Sequence, residues 1–387
     1  MNLGVIGYGL RARSILGEIG RQDPGCRVAA VVDPREKQRE EWPYSGDRPR
    51  YYDTAEEMLA AEPGLNGVMI ATRCTLHTEM ALKVLPAGLP VFLEKPVATN
   101  LADWKRLHQA SLAYPTEVLV SFPLRVTPIV QLVKEIIDSG KIGSVEHVQA
   151  YNNVPYGRVY YQSWYRNPEE TGGLFLQKAN HDFDYLNAVL GLKPISLCAM
   201  TSKQIFKGNK PAGLTCEACE DNRTCLESAL RKPEPEREWN GCCFAEDTGN
   251  EDSGSVLIRY ETGMHVSYSQ NFFVRGRAAS RGARFMGYKG TLEFDFYQKQ
   301  VRVYLHHSPR VETYDIEPGE GHHGGDTALA RNYLAMLAGR EKSIIPLEAG
   351  LTSALMGILA KESAEHGRFC SLGEDLGVLS GSPFGGR

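Results

Sequence analysis

The chain has 387 residues, long for one domain and comfortable for two, so a sizeable core can form without disulfide or metal staples. Hydrophobic residues make up 42% and charged residues 23%, which excludes wholesale disorder, collagen and coiled coil. With 43 Lys and Arg against 47 Asp and Glu the net charge is −4, so no basic excess points to a nucleic acid partner.

The longest apolar runs, Val28 to Val32 and Val91 to Leu93, are too short to span a bilayer, and no membrane partner is expected. A first strand beginning at Leu3 leaves no room for a signal peptide, so a cytoplasmic protein is expected.

Along the first 120 residues short apolar runs alternate with amphipathic stretches, the pattern of parallel βαβ units. Strands are predicted at Leu3 to Ile6, Val28 to Val32, Gly67 to Ala71, Val91 to Leu93 and Glu117 to Val120. Helices are predicted at Arg11 to Ile19, Ala55 to Ala61, Glu79 to Leu85 and Leu101 to Leu112. The charge run Arg35 to Glu41 reads as a solvated helix face.

After Pro123 the rhythm changes. A helix at Pro128 to Ser139 precedes an alternating strand at Val145 to Gln149. A meander of strands follows at Val256 to Tyr260, Met264 to Gln270, Arg284 to Met286, Thr291 to Phe296 and Val301 to Leu305. Helices at Asp326 to Leu337 and Glu348 to Ser363 close the chain. Residues 207–252 read as a polar, Cys-rich insertion, and 370–387 as a mobile tail.

Gly7-Tyr8-Gly9-Leu10-Arg11-Ala12 is a GxGxxA fingerprint between a strand and a helix. Its first glycine permits the tight turn, the second lets a pyrophosphate approach, and Ala12 allows close packing. Asp33 ends the second strand, where an acid binds a ribose 2′-hydroxyl and repels a 2′-phosphate. NAD is therefore expected over NADP, with Arg35 as the opposing charge. Ala71 and Thr72, His77, and Glu94-Lys95-Pro96 fall at carboxyl ends of strands or just beyond, the ligand side of an open α/β sheet. A lysine in that place can orient a substrate hydroxyl and assist its proton transfer.

With these motifs the sequence resembles the glucose–fructose oxidoreductase / inositol dehydrogenase / MocA family. The resemblance runs from Leu3 to about Ser363 and also draws on Arg125, Ile137 to Gly143, and Gly172-Gly173 with His181. It implies a Rossmann domain over 1–122 and an α/β domain over 123–369 built on a large, mostly antiparallel open sheet. It further implies hydride transfer between a nicotinamide and a sugar, polyol or glycoside, with Lys95 as the family lysine. Many members place an aspartate four residues before the catalytic histidine; here Gln177 stands there, followed by Lys178. His181 is the expected general base. Lys178, three residues before it, is either a second base or a ligand for a substrate oxygen. Arg125, Trp164, Arg166, Asp182 and His322 are the expected substrate contacts, Trp164 from a tyrosine-rich stretch. Asp326 reads as a helix N-cap.

Cys216, Cys219, Cys225 and Cys242, with Cys243 as a substitute, suit a structural zinc site; an iron–sulfur cluster uses the same ligands, and reduced thiols are the plain alternative. An open sheet with one bare apolar face predicts a homodimer or homotetramer. Three functions compete: a dehydrogenase, a redox-assisted glycoside-cleaving enzyme with tightly held NAD, and a non-catalytic dinucleotide-binding sensor.

Overall fold

The computed structural model describes residues 1–35, 48–231, 240–317 and 319–373. Glu36 to Glu41 of the predicted charged helix face and the tail beyond residue 373 lie outside these residues. The chain divides into two compact units. The first comprises Met1–Gln131, Asn180–Tyr185 and Pro318–Leu355; the second comprises Leu132–Ala179, Leu186–Glu317 and Met356–Arg387.

The first unit holds six parallel strands: β1 Asn2–Ile6, β2 Arg27–Val32, β3 Arg50–Tyr52, β4 Gly67–Ile70, β5 Val91–Leu93 and β6 Val118–Val120. Their order, β3-β2-β1-β4-β5-β6, reverses beside β1, which makes the carboxyl ends of β1 and β4 the ligand crevice of a doubly wound sheet. β1, β4 and β5 are nearly or wholly buried, as apolar strands covered on both faces must be. Helices α1 Leu10–Gln22, α2 Ala55–Ala61, α3 His77–Val84 and α4 Leu101–Ala113 connect the strands. Asn100 starts α4 by accepting the Asp103 N–H at 2.9 Å. The helix Gly325–Leu337 returns to this unit, where the Tyr333 hydroxyl donates to Val68 O at 3.0 Å.

The second unit is built on nine strands: β7 Val145–Asn153, β8 Pro194–Ser202, β9 Ser253–Tyr260, β10 His265–Asn271, β11 Ser280–Gly287, β12 Gly290–Asp295, β13 Gln300–Leu305, β14 Val311–Asp315 and β15 Cys370–Ser371. The order is β14-β13-β12-β11-β7-β10-β9-β8-β15, and only β7 with β10 run parallel. Cys370 and Ser371, placed in the tail by sequence, thus pair with β8.

One face of this sheet is apolar through Val148, Ala150, Val266, Phe285 and Ala283, all buried. The opposite face is mixed. A cross-strand row there runs Cys198, Leu257, Ser267, Gln149, Arg284, Glu293 and Arg302. The expected bare apolar face is therefore confined to the β8–β9 end, where Met200 is 78% and Leu257 49% exposed.

Candidate active site

The glycine-rich turn is shaped first by the neighbouring strand. Gly7 has φ +86°, and a Cβ there would lie 2.7 Å from backbone atoms of Ala71 and Thr72. Gly9 caps α1 without a side-chain hydrogen bond, which leaves the first N–H groups of the helix available to an anion. A Cβ on Gly9 would meet only the Arg35 guanidinium, at 3.7 Å. Ala12 is buried, as close packing of α1 requires, and Leu10 is exposed.

Asp33 is buried and accepts from the Tyr8 N–H at 2.7 Å. Arg35 donates to both carboxylate oxygens, Nε at 3.0 Å and a terminal nitrogen at 2.8 Å. Burial pushes Asp33 up, but these bonds outweigh it and hold the carboxyl below its ordinary range. The acid expected to meet a ribose thus carries a fixed cation beside it.

At the end of β5, Glu94 is buried and takes a 2.7 Å hydrogen bond from Arg11 Nε. The Lys95–Pro96 peptide bond is cis. His77 is fully buried, with Nδ1 2.8 Å from Pro96 O and Nε2 3.2 Å from Thr72 O. Its burial pushes it toward the neutral form. A neutral imidazole has one N–H to donate, and the shorter contact gives it to Pro96 O.

Asp326 lies in the first helical turn rather than capping it; Gly324 is the N-cap. The carboxylate is instead used sideways, accepting both terminal nitrogens of Arg11, at 2.8 and 2.9 Å, and facing His322 Nδ1 at 2.8 Å. His322 and His323 both have left-handed backbone, φ 44° and 58°. Strained histidines of that kind persist only where their surroundings fix them.

Also in the first unit, His181 is nine-tenths buried and meets the Phe122 ring edge-on at 5.6 Å. Asp182 is buried beside it. Asn180, fully buried, has no hydrogen-bond partner on either polar atom among the described residues. Arg125 grips Asp184 with two bonds, 2.9 and 2.6 Å. Burial drives that carboxyl up to about 6 despite the arginine.

Phe175–Ala179 of the second unit forms a π-helical turn, and the α-helix Asn180–Leu190, whose residues to Tyr185 belong to the first unit, starts only after it. The α-helical three-residue spacing assumed for Lys178 and His181 is thus interrupted between them. Lys178 is buried, its Nζ 2.6 Å from the Tyr156 hydroxyl and 4.8 Å from the centre of that ring. Gln177 donates to Thr171 O at 2.8 Å. Trp164 stacks on Tyr165 at 3.9 Å. Arg166 reaches Asp247 at 2.6 Å and Cys242 O at 3.4 Å, anchoring the Cys-rich segment.

The apolar sheet face turns polar at one end. Arg281, Asn152 and Gln270 are cross-strand neighbours on β11, β7 and β10, and all are more than nine-tenths buried. Gln270 Nε2 has no hydrogen-bond partner among the described residues. Buried polar groups are costly unless something pairs them, so Gln270 Nε2 in the second unit and the Asn180 amide in the first each leave a hydrogen bond to be satisfied.

Two family models match successive stretches of the chain. Residues 1–122 match the oxidoreductase family with NAD-binding Rossmann fold, and residues 130–293 match the GFO/IDH/MocA C-terminal domain. The chain belongs to the GFO/IDH/MocA family. A Bacillus subtilis protein named as an oxidoreductase, YteT, is 26% identical over 319 residues, 72% of this chain and 73% of that one. Inositol 2-dehydrogenase of Gluconacetobacter diazotrophicus is 33% identical over 155 residues, 39% of this chain and 45% of its own length. The fold matches that of myo-inositol 2-dehydrogenase from Lactobacillus plantarum with a TM-score of 0.71, at 16% identity, over 96% of this chain and 99% of that one.

The metal site expected from the cysteine spacing needs correction. Cys216, Cys219, Cys225 and Cys242 do share one neighbourhood: burial first, then the nearby thiols, push Cys216 and Cys242 up. Yet among the described residues no group of three or more His, Cys, Asp or Glu side chains is arranged to hold a metal ion. Cys216 Sγ instead accepts from the Ala229 N–H at 3.4 Å. The spacing is compatible with zinc; the side-chain arrangement does not fit it.

Sequence reasoning missed Asp184, Asn180, Gln270, Arg281 and the use of Arg11 and Asp326 as an ion pair. The inward alternation of Val148, Ala150, Asn152 was the one signal that could have flagged the polar end of the sheet.

Proposed function

We propose that this GFO/IDH/MocA oxidoreductase transfers hydride between NAD and a hydroxyl carbon of a cyclic polyol or sugar, with Lys95 and His181 handling the hydroxyl proton. The carrying observation is the seat of Lys95: its neighbours Glu94 and Pro96 are fixed by Arg11 and His77 at the carboxyl end of β5. The turn Gly7–Ala12 fits a dinucleotide, because Gly9 keeps the space above the α1 N-terminus clear. Bound there, the dinucleotide supplies the hydride acceptor or donor. Lys95 orients the substrate hydroxyl, and His181, a buried imidazole, accepts or returns its proton.

NAD is the preferred cofactor, since Asp33 stands where a ribose hydroxyl would be read, and Arg35 narrows the preference over NADP. Within the second unit, Gln270 Nε2, without a partner among the described residues at the buried polar end of the sheet, is suited to donate to a hydroxyl of a sugar. Lys178 is held by Tyr156 within the second unit, which favours His181 over it as the base. Exposed Met200 and Leu257 favour self-association of the sheet as a homodimer, which light scattering at micromolar concentration would test. The reading is tested by mixing the protein with NAD and myo-inositol, levoglucosan and a glycoside panel. NADH should appear without release of aglycone; aglycone without net NADH would favour redox-assisted cleavage.

A further inference from the structure

Asp33 follows β2 beside the glycine-rich turn of the first unit, and four donors among the described residues converge on it. Oδ2 accepts from the Tyr8 N–H at 2.7 Å and from a terminal nitrogen of Arg35 at 2.8 Å. Oδ1 accepts from the Arg35 N–H at 2.9 Å and from Arg35 Nε at 3.0 Å. Against the lift from burial, these bonds hold the carboxyl below its ordinary range, so it is ionised and can only accept. An ionised carboxylate offers about four lone-pair sites, and the four donors take them all. No acceptor is left for a ribose hydroxyl while the Arg35 side chain stays in place.

The four bonds are not equally fixed. Two come from backbone N–H groups, one in the turn and one two residues after Asp33, and neither depends on the Arg35 side chain. The other two come from a guanidinium whose side chain is 52% exposed, against 2% for Asp33. An ion pair open to water on one side is weak, so the guanidinium can leave at small cost. Its release frees one acceptor site on each oxygen, the pair that a vicinal ribose diol can fill. The same guanidinium is what a Cβ on Gly9 would meet, at 3.7 Å, so it also borders the space that this glycine opens to a pyrophosphate.

We propose that Arg35 is a specificity-determining latch on the ribose site: its side chain covers Asp33 until the adenosine ribose hydroxyls of NAD take over its two bonds. The latch works against NAD, because each binding event breaks a bidentate pair. It works for a 2′-phosphate, which is repelled by Asp33 but takes the released guanidinium as its own partner. Arg35 therefore holds the two cofactors closer in affinity than Asp33 alone would. The proposal rests on the dinucleotide site proposed above.

The test is calorimetry, with NAD and NADP titrated into full-length native, Arg35→Ala and Arg35→Gln protein. NAD should bind roughly threefold to tenfold more tightly to Arg35→Ala, and NADP more weakly. Loss of a cation near an anionic ligand would by charge alone weaken both, so a gain for NAD is the signature of the latch. Arg35→Gln should change both affinities in the same directions. In an Asp33→Ala background the removal of Arg35 should give NAD no gain, since no carboxylate remains to be uncovered. An NAD dissociation constant unchanged or higher in Arg35→Ala and Arg35→Gln would overturn the latch and leave the dinucleotide site standing. Absence of NAD and NADP binding in native and variant protein alike would instead overturn the dinucleotide site, and the latch with it.

Discussion

The glycine-rich turn and the cysteine-rich segment both announce themselves in the sequence by spacing, yet only one spacing has its expected geometry. In the turn, the meaning of Gly7-x-Gly9-x-x-Ala12 is local. A strand must bend into a helix, and Gly7 must pass within 2.7 Å of Ala71 and Thr72 if given a Cβ. Backbone sterics decide that outcome almost alone. In the segment, Cys216 to Cys242 acquire meaning only if four side chains from separated turns aim at one point. They gather close enough to affect one another's protons but are not arranged as ligands.

The contrast can be broken most forcefully at the first region. Lys95→Ala should lower turnover by roughly 10²–10⁴-fold, the range of a positioned acid–base group. NAD affinity, measured by calorimetry, should stay nearly constant because the Gly7–Ala12 turn is untouched. Loss of binding in parallel with turnover would show that Lys95 holds the dinucleotide instead.

Next in size is cofactor choice. Removing Arg35 should widen the NAD over NADP preference by roughly tenfold or more, about 1.4 kcal/mol for each tenfold. Asp33→Ala should narrow or reverse it, since the remaining Arg35 would attract a 2′-phosphate. Equal dissociation constants for both nucleotides in native and Arg35→Ala protein would remove Asp33 and Arg35 from the account.

A smaller effect belongs to Asp184. Its carboxyl sits near 6 in the folded chain and at the ordinary 3.8 when unfolded. A raised carboxyl makes the folded state the better proton binder between those values, so stability falls as pH rises from about 4 to 6 and is level above. The full difference is roughly 3 kcal/mol at about 1.36 kcal/mol per pH unit. Denaturant melts of native and Asp184→Asn protein should diverge over that window. Asp326, held below its ordinary range by His322 and Arg11 against the opposing effect of burial, contributes the opposite slope at lower pH. The smallest expectation concerns metal: elemental analysis of protein purified without chelators should find zinc and iron below one per chain. A stoichiometric ion would show that the four sulfurs close upon it.

Much of the fold was legible because it is periodic. β5 at Val91–Leu93 and the helix at Ala55–Ala61 fall where the pattern puts them. β3, only Arg50–Tyr52, is too short to announce itself, and β8 opens on Pro194 without clean alternation. At the site, the turn at Gly7 and Gly9 could be read because its shape follows from neighbours in sequence. Arg11 could not: Glu94 is 83 positions away and Asp326 315, and no local pattern joins them. The pairing of Arg166 was hidden for a related reason, since the Asp247 it bonds lies 81 positions on.

The most direct test of the central claim is the NADH absorbance that develops when native protein meets NAD and the polyol and glycoside panel, with aglycone release followed in the same vessel. The account predicts NADH from at least one cyclic polyol or sugar, lost in Lys95→Ala. Tight NAD binding with neither NADH nor aglycone from any member of the panel would contradict it and leave a dinucleotide-binding sensor.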